Sequence, residues 1–311
     1  MVIARSIKQY FSSVEVSEGA GSRVHRALPT PKLHNLTPFV MLDHVASEAN
    51  KIGNFPDHPH RGQEIISYIL SGALDHEDFL GNKGTIGPGD LQFMSAGRGI
   101  MHAEQPRRND PVNDREDSII EALQLWIDLP KEFKYSTPQY RDVRAKEIPV
   151  VHVDEGRVVI RIIAGESHGV VSKQNLAYTP IWYLDVTVKP GGHFQQTLPN
   201  AWNAFVYILR GRVTFTSSSS DKSMSLGRFH VVVFEQNGDF IEASVSANAD
   251  ENARFIIFAG QPLDQEIVHY GPFVLSSLGE VYQAVEDFRK GKNGFERALT
   301  WKSEIQRRLD C

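Results

Sequence analysis

Cysteine is nearly absent: the one thiol is Cys311, the last of 311 residues. No disulfide can close within the chain, no thiolate set exists to hold zinc or an iron–sulfur cluster, and a reducing, intracellular compartment is expected. Long apolar runs are absent too. Val231-Val232-Val233-Phe234 and Phe255-Ile256-Ile257-Phe258 have the length of a strand and fall far short of a membrane span. Met1 to Arg26 carries Arg5, Lys8, Glu15 and Glu18 and has no apolar stretch of signal-peptide length. A basic stripe is likewise missing. The formal net charge is −5, so the field of the molecule repels phosphate, and any role on DNA would pass through a protein partner. Arg107-Arg108 and Arg307-Arg308 are too short for an import signal, which leaves cytoplasm and nucleus both open.

What is present is the composition of a folded protein, with 41% hydrophobic and 23% charged residues. The length exceeds the usual single domain of roughly 100–200 residues, so two domains or one double-barrel unit is expected. Short strands separated by turns dominate. Phe39 to Asp43, Ile65 to Leu70, Ala73 to Asp78, Leu91 to Met94 and Leu123 to Leu129 read as strands, punctuated by Ser71-Gly72, Gly81-Asn82-Lys83-Gly84 and Pro88-Gly89-Asp90. This spacing indicates a sandwich or barrel. Lys131 to Lys146 is polar and broken by proline, and is the expected boundary between halves. Arg107 to Asp117 reads as a solvated loop or a lid, and Ser217 to Lys222 as a hairpin loop.

The second half echoes the first. Tyr68-Ile69-Leu70-Ser71-Gly72 recurs as Tyr207-Ile208-Leu209-Arg210-Gly211, an offset of 139 residues that implies duplication of one barrel. Glu280 to Lys290 carries Val281, Ala284, Val285 and Phe288 at helical spacing and stops at Gly291, with more helix expected toward Leu299, Ile305 and Leu309.

The chemistry concentrates between Asp57 and Glu104. Residues two apart on a strand share a face, about 7 Å from one another, so His58 and His60 point the same way, and His102 and Glu104 repeat the spacing. Glu64 keeps the parity of His58 if the strand runs unbroken. Gly97-Arg98-Gly99 supplies permissive backbone ahead of His102. Imidazoles with a carboxylate suit iron, manganese, nickel, copper or zinc. Applied to this set, the offset of 139 sends His58 to Thr197, His60 to Pro199, Glu64 to Asn203 and His102 to Ile241, so the rear barrel is expected to lack ligands. His193 has no partner of matching parity and reads as a rim residue.

His58-Pro59-His60-Arg61-Gly62, Pro88-Gly89-Asp90, Ala96 to Glu104, Leu123-Gln124-Leu125-Trp126 and Asn293-Gly294-Phe295-Glu296 together resemble the pirin family, two-barrel members of the cupin superfamily. The resemblance implies an all-β fold, a double-stranded β-helix (jelly-roll) bicupin with peripheral C-terminal helices. Residues 1–135 would form the metal-binding barrel, and residues 136–311 the barrel without ligands. It further implies a single iron(II) on His58, His60, His102 and Glu104, with Glu64 kept as a rival or supporting carboxylate and Arg98 as a neighbour of the site or a turn arginine. By similarity to quercetin 2,3-dioxygenases, the activity would be cleavage of a flavonol-like substrate with O2, Glu104 taking the substrate's hydroxyl proton as the catalytic group. The alternative from the same resemblance is a metal- or redox-responsive transcriptional co-regulator acting through a transcription-factor partner. A storage or scaffold bicupin needs no intact ligand set and fits less well.

Overall fold

The computed structural model describes residues 2–19, 21–48, 52–53, 55–107, 119–174, 176–217 and 223–307. Most of the expected Arg107–Asp117 loop, positions 218–222 of the hairpin loop, Arg308, Leu309 and Cys311 lie outside them. Among the described residues no helix is long and apolar enough to cross a membrane.

The chain forms two compact units, and each is a bicupin half with a seven-stranded and a four-stranded antiparallel sheet. In the first unit to be described, residues 14–29, 39–145 and 263–311, the larger sheet runs Gln139–Val143, Leu91–Ser95, Gln63–Ser71, Ile119–Asp128, Phe39–Glu48, Ser22–Leu28, Val14–Glu18. The smaller runs Phe55–His60, Ile100–Pro106, Leu74–Asp78, Lys83–Ile86. The central strands are buried along most or all of their length, and Val40, Met41, Ile65, Met94, Ile100 and Trp126 pack in one apolar cluster.

The other unit, residues 1–13, 30–38 and 146–262, repeats that order strand for strand. Its larger sheet runs Ile7–Ser12, His230–Phe234, Asn203–Arg210, Ala253–Gly260, Ile181–Val188, Val158–Ala164, Val150–Val153, and its smaller His193–Thr197, Phe240–Ser244, Val213–Phe215, Met224–Leu226. The duplication read from the sequence is therefore present as topology.

The units are not contiguous, in contrast to the expected 1–135 and 136–311. Ile7–Ser12 is an edge strand on His230–Phe234, with Phe11 opposite Val231, and so belongs with residues 146–262. The stretch expected as a linker, Lys131 to Lys146, instead contributes Gln139–Val143 to the sheet beside Leu91–Ser95. The C-terminal helix Leu278–Lys290 packs with the first-described unit, burying Val281 and Ala284 against Phe273, Leu275 and Phe295. Ser277 caps its first turn by accepting from Glu280 N, and Gly291 ends it in the left-handed conformation. The further helix is short, Glu304–Arg307.

One register differs from the offset arithmetic. His102 lies opposite His58, whereas Ile241, which holds the place of His102, lies opposite Gln196. The residue matching His58 is thus Gln196 rather than Thr197, and Leu198 rather than Pro199 matches His60. The corner that follows is longer in this barrel, residues 198–202 against 61–62, and a fixed offset fails wherever loop lengths differ.

Candidate metal centre

His58 and His60 stand on the strand Phe55–His60, and His102 and Glu104 on its antiparallel neighbour Ile100–Pro106. Equal parity on paired strands brings the three imidazoles together, with ring centroids 4.4, 4.7 and 4.9 Å apart. One nitrogen from each ring falls within 4.8 Å of the others. His58 Nδ1 is 2.7 Å from the Pro56 carbonyl and donates to it, which leaves the Nε2 lone pair facing His102 Nε2 at 2.9 Å. His60 and His102 are buried.

Burial, and secondarily the neighbouring His58, pushes the pKa of both His60 and His102 well below the ordinary imidazole value. They are neutral at physiological pH, the form that coordinates metal. His102 Nδ1 is buried with no hydrogen-bond partner. Three imidazoles brought together, with His60 and His102 neutral, fit a transition cation, and the absence of sulfur favours the harder members of that class.

Glu104 is buried on the same strand face, but its carboxylate is not within the imidazole cluster. Ser67 Oγ donates to Oε1 at 2.8 Å and Gln124 Nε2 to Oε2 at 2.7 Å. Gln124 is itself held by Trp126, whose Nε1–H donates to Gln124 Oε1 at 3.0 Å. The Trp126 ring meets His60 edge-on at 4.9 Å and His269 at 5.5 Å.

Glu64 is carried away from this centre. Gly62 takes φ +86°, breaking the strand between His60 and Gln63, and a Cβ there would lie 2.1 Å from the Val274 carbonyl oxygen. The break reverses parity, so Gln63, 2.9 Å from His60 Nδ1, and Ser67 face the site while Glu64 takes the opposite face of its strand. Arg98 is an exposed turn residue whose carbonyl accepts from Arg61 Nε at 2.7 Å. His193 is exposed and 3.1 Å from Glu242 Oε1 on the adjacent strand.

His58, His60 and Glu104 line a cavity of about 680 Å³ walled by Met41, Phe55, Pro56 and Trp126. That volume is in the range of small-molecule sites, and its lining sets these apolar side chains beside Glu18, Arg26, Gln124 and His269. Arg26 stands at its polar side, bonded to Asp43 at 2.8 and 2.6 Å and to Glu18 at 2.6 Å. Sequence reading missed Gln63, Ser67, Arg26 and His269. Polar residues such as Ser67 and Gln124 on the barrel-facing parity of otherwise apolar strands were the available signal.

Comparison with known proteins agrees with this architecture. The Pirin family model matches residues 21–127, and the model for the Pirin C-terminal cupin domain matches residues 183–294. Pirin of Homo sapiens is 40% identical over 294 residues, covering 94% of this chain and 95% of that protein. A pirin-like protein of Solanum lycopersicum is 42% identical over 288 residues, covering 93% and 92%. Among solved structures, a quercetin 2,3-dioxygenase from Acinetobacter baumannii superposes with TM-score 0.81 at 27% identity, covering 94% of this chain and 99% of that one. The Escherichia coli pirin YhhW, solved with nickel(II), shares the fold at TM-score 0.60 and 18% identity, covering 85% and 100%. With two cupin barrels in the same strand order, both family models matched and 40% identity across nearly the full length, this chain belongs to the pirin family.

Proposed function

We propose that the protein is a metal-dependent dioxygenase of the quercetin 2,3-dioxygenase type, cleaving flavonol-like substrates with O2 at a single iron held by His58, His60, His102 and Glu104. The observation that carries this reading is the cluster of three imidazoles, His60 and His102 held neutral, of which His58 and His60 line a cavity large enough for a three-ring substrate. Likeness to the Acinetobacter baumannii enzyme supports the choice of reaction. When bound, iron supplies Lewis acidity and a redox-active centre; the same donors also suit manganese, nickel, copper and zinc.

The chain's own residues supply the rest. Trp126, Met41 and Phe55 exclude water and offer apolar surface to flat rings. Glu104 is the carboxylate positioned to take the proton of the substrate hydroxyl, or to join the imidazoles as ligand, by exchanging one of its bonds to Ser67 or Gln124. Because Trp126 holds Gln124, the aromatic wall and the proton acceptor are mechanically joined.

Anaerobic reconstitution with iron(II), followed by quercetin in air, tests the proposal through loss of the flavonol's visible absorption. Turnover above free metal, abolished in His58→Ala, is the expected result. Metal bound at one per chain with no turnover under several metals would replace this reading with that of a metal-responsive transcriptional co-regulator acting through protein partners.

A further inference from the structure

The strand that carries His58 and His60 lies at the edge of its sheet. Ile100–Pro106 hydrogen-bonds one side of it, with a register shift between His102 and Glu104, and among the described residues no strand of that sheet lies on its other side. An edge held by one ladder is the part of a sheet most free to fray. A metal site needs the reverse, because ligands displaced by even half an ångström bind a different ion or none.

The C-terminal segment contacts this strand beside each of its two histidines. The Pro272 carbonyl lies 3.3 Å from His60 Nδ1 and accepts from Gln63 Nε2 at 2.9 Å. Arg61, next to His60, is buried and donates Nη1 to Asp287 Oδ2 at 2.8 Å and Nη2 to the Asn293 carbonyl at 2.7 Å. Its third donor, Nε, goes to the Arg98 carbonyl at 2.7 Å, so the same guanidinium ties the turn that leads into His102. Asp57, next to His58, accepts from Ser303 Oγ at 2.5 Å and from Ser303 N at 3.2 Å. Ser303 is fully buried, and its hydroxyl also accepts from Gln306 N at 3.1 Å.

We propose that residues 272–303 form a positioning strap for the metal-binding histidines, in which Ser303 fixes His58 through Asp57 while Asp287 and Asn293 fix His60 and the approach to His102 through Arg61. None of these strap residues is a ligand. Their effect is on the spacing of the imidazoles before metal arrives, and partners of this kind change affinity by roughly 10–100-fold when removed. The proposal rests on the three histidines being a metal site and is independent of any oxygen chemistry there.

The test uses full-length protein stripped of metal and titrated with cobalt(II), whose absorption spectrum reports ligand number and geometry, and with iron(II) against a chromophoric chelator. Ser303→Ala is expected to weaken binding about tenfold and to shift the cobalt spectrum, and Ser303→Thr, which keeps the hydroxyl, to restore both. Asp57→Asn gives the same shift and stands in if Ser303→Ala does not fold. Lys83→Ala, which removes the surface pair Lys83–Glu304 on the same tail, is expected to leave affinity and spectrum unchanged. Unaltered affinity and spectrum in Ser303→Ala overturn the strap, as does a loss that Ser303→Thr fails to recover or that Lys83→Ala reproduces. Wild-type protein that takes up no metal overturns the metal site itself and the strap with it, whereas normal uptake by both wild type and Ser303→Ala overturns the strap alone.

Discussion

The two barrels share one strand order and differ in what fills them. Where the barrel of residues 39–145 places His58, His60, His102 and Glu104, its counterpart places Gln196, Leu198, Ile241 and Ala243. Leu198, Ile241 and Ala243 join an apolar core with Phe194 and Phe255, and the buried Gln196 is satisfied by the Ser167 hydroxyl and the Glu166 and Thr197 carbonyls. Both barrels secure the corner after this strand with a buried arginine. Arg61 donates to the carboxylate of Asp287, while Arg5 donates to the carbonyls of Pro199, Trp202 and Gly238 with Asp239 nearby. The same scaffold is thus stable with either interior. A packed apolar core contributes its own stability, and the polar interior depends on bonds from the residues around it.

That contrast is open to experiment. The sharpest break comes from His102→Ala, expected to take metal content from one per chain to none by elemental analysis, while Gln196→Ala leaves it at one. Next in size, Asp287→Ala strands the Arg61 guanidinium in a buried site and is expected to cost about 3 kcal/mol in urea unfolding. In the other barrel, Ile241→Ala opens a cavity in the apolar core and costs about 3 kcal/mol with metal uptake unchanged; reduced uptake there would show that the two interiors are not separable.

A smaller effect concerns pH. His60 and His102 have pKa values lowered by burial and by His58, so below the unfolded imidazole value of about 6.5 the unfolded chain binds more protons than the folded one. Stability of metal-free protein therefore falls as pH drops through about 6.5, by up to roughly 1.4 kcal/mol per pH unit for each histidine. A urea midpoint that stays flat between pH 7.5 and 5.5 would contradict the neutral, buried state of the pair. Smallest of all, Thr197→Ala, on the exposed side of its strand, is expected to change stability by less than about 0.5 kcal/mol, and a larger loss would return the register to the offset of 139.

Much of this was legible in the chain itself, for reasons that differ by residue. His58, His60, His102 and Glu104 obey the two-residue period of a strand, a local rule that needs no tertiary knowledge. The repeated Tyr-Ile-Leu segment exposed the duplication because strand interiors tolerate little insertion. Glu64 was misplaced because parity holds only along an unbroken strand, and the turn at Gly62 is set by its close approach to Val274, over 200 residues away. The Gln196 register was missed because corner length is free to vary. The bonds of Ser303 to Asp57 and of Asp287 to Arg61 leave no periodic trace, since a single serine or aspartate is an ordinary surface residue until the fold buries it.

Ile7–Ser12 pairs with His230–Phe234, so this strand waits about 220 residues of synthesis for its neighbour. At ribosomal rates of about 5–20 residues per second, that interval is roughly 10–45 s with an unsatisfied edge exposed. A fragment cut at residue 136 would discard this strand and leave Val231 to Phe234 as an open apolar edge, inviting self-association. Expression of the rear barrel alone therefore calls for a permuted gene in which residues 1–13 and 30–38 follow residue 262.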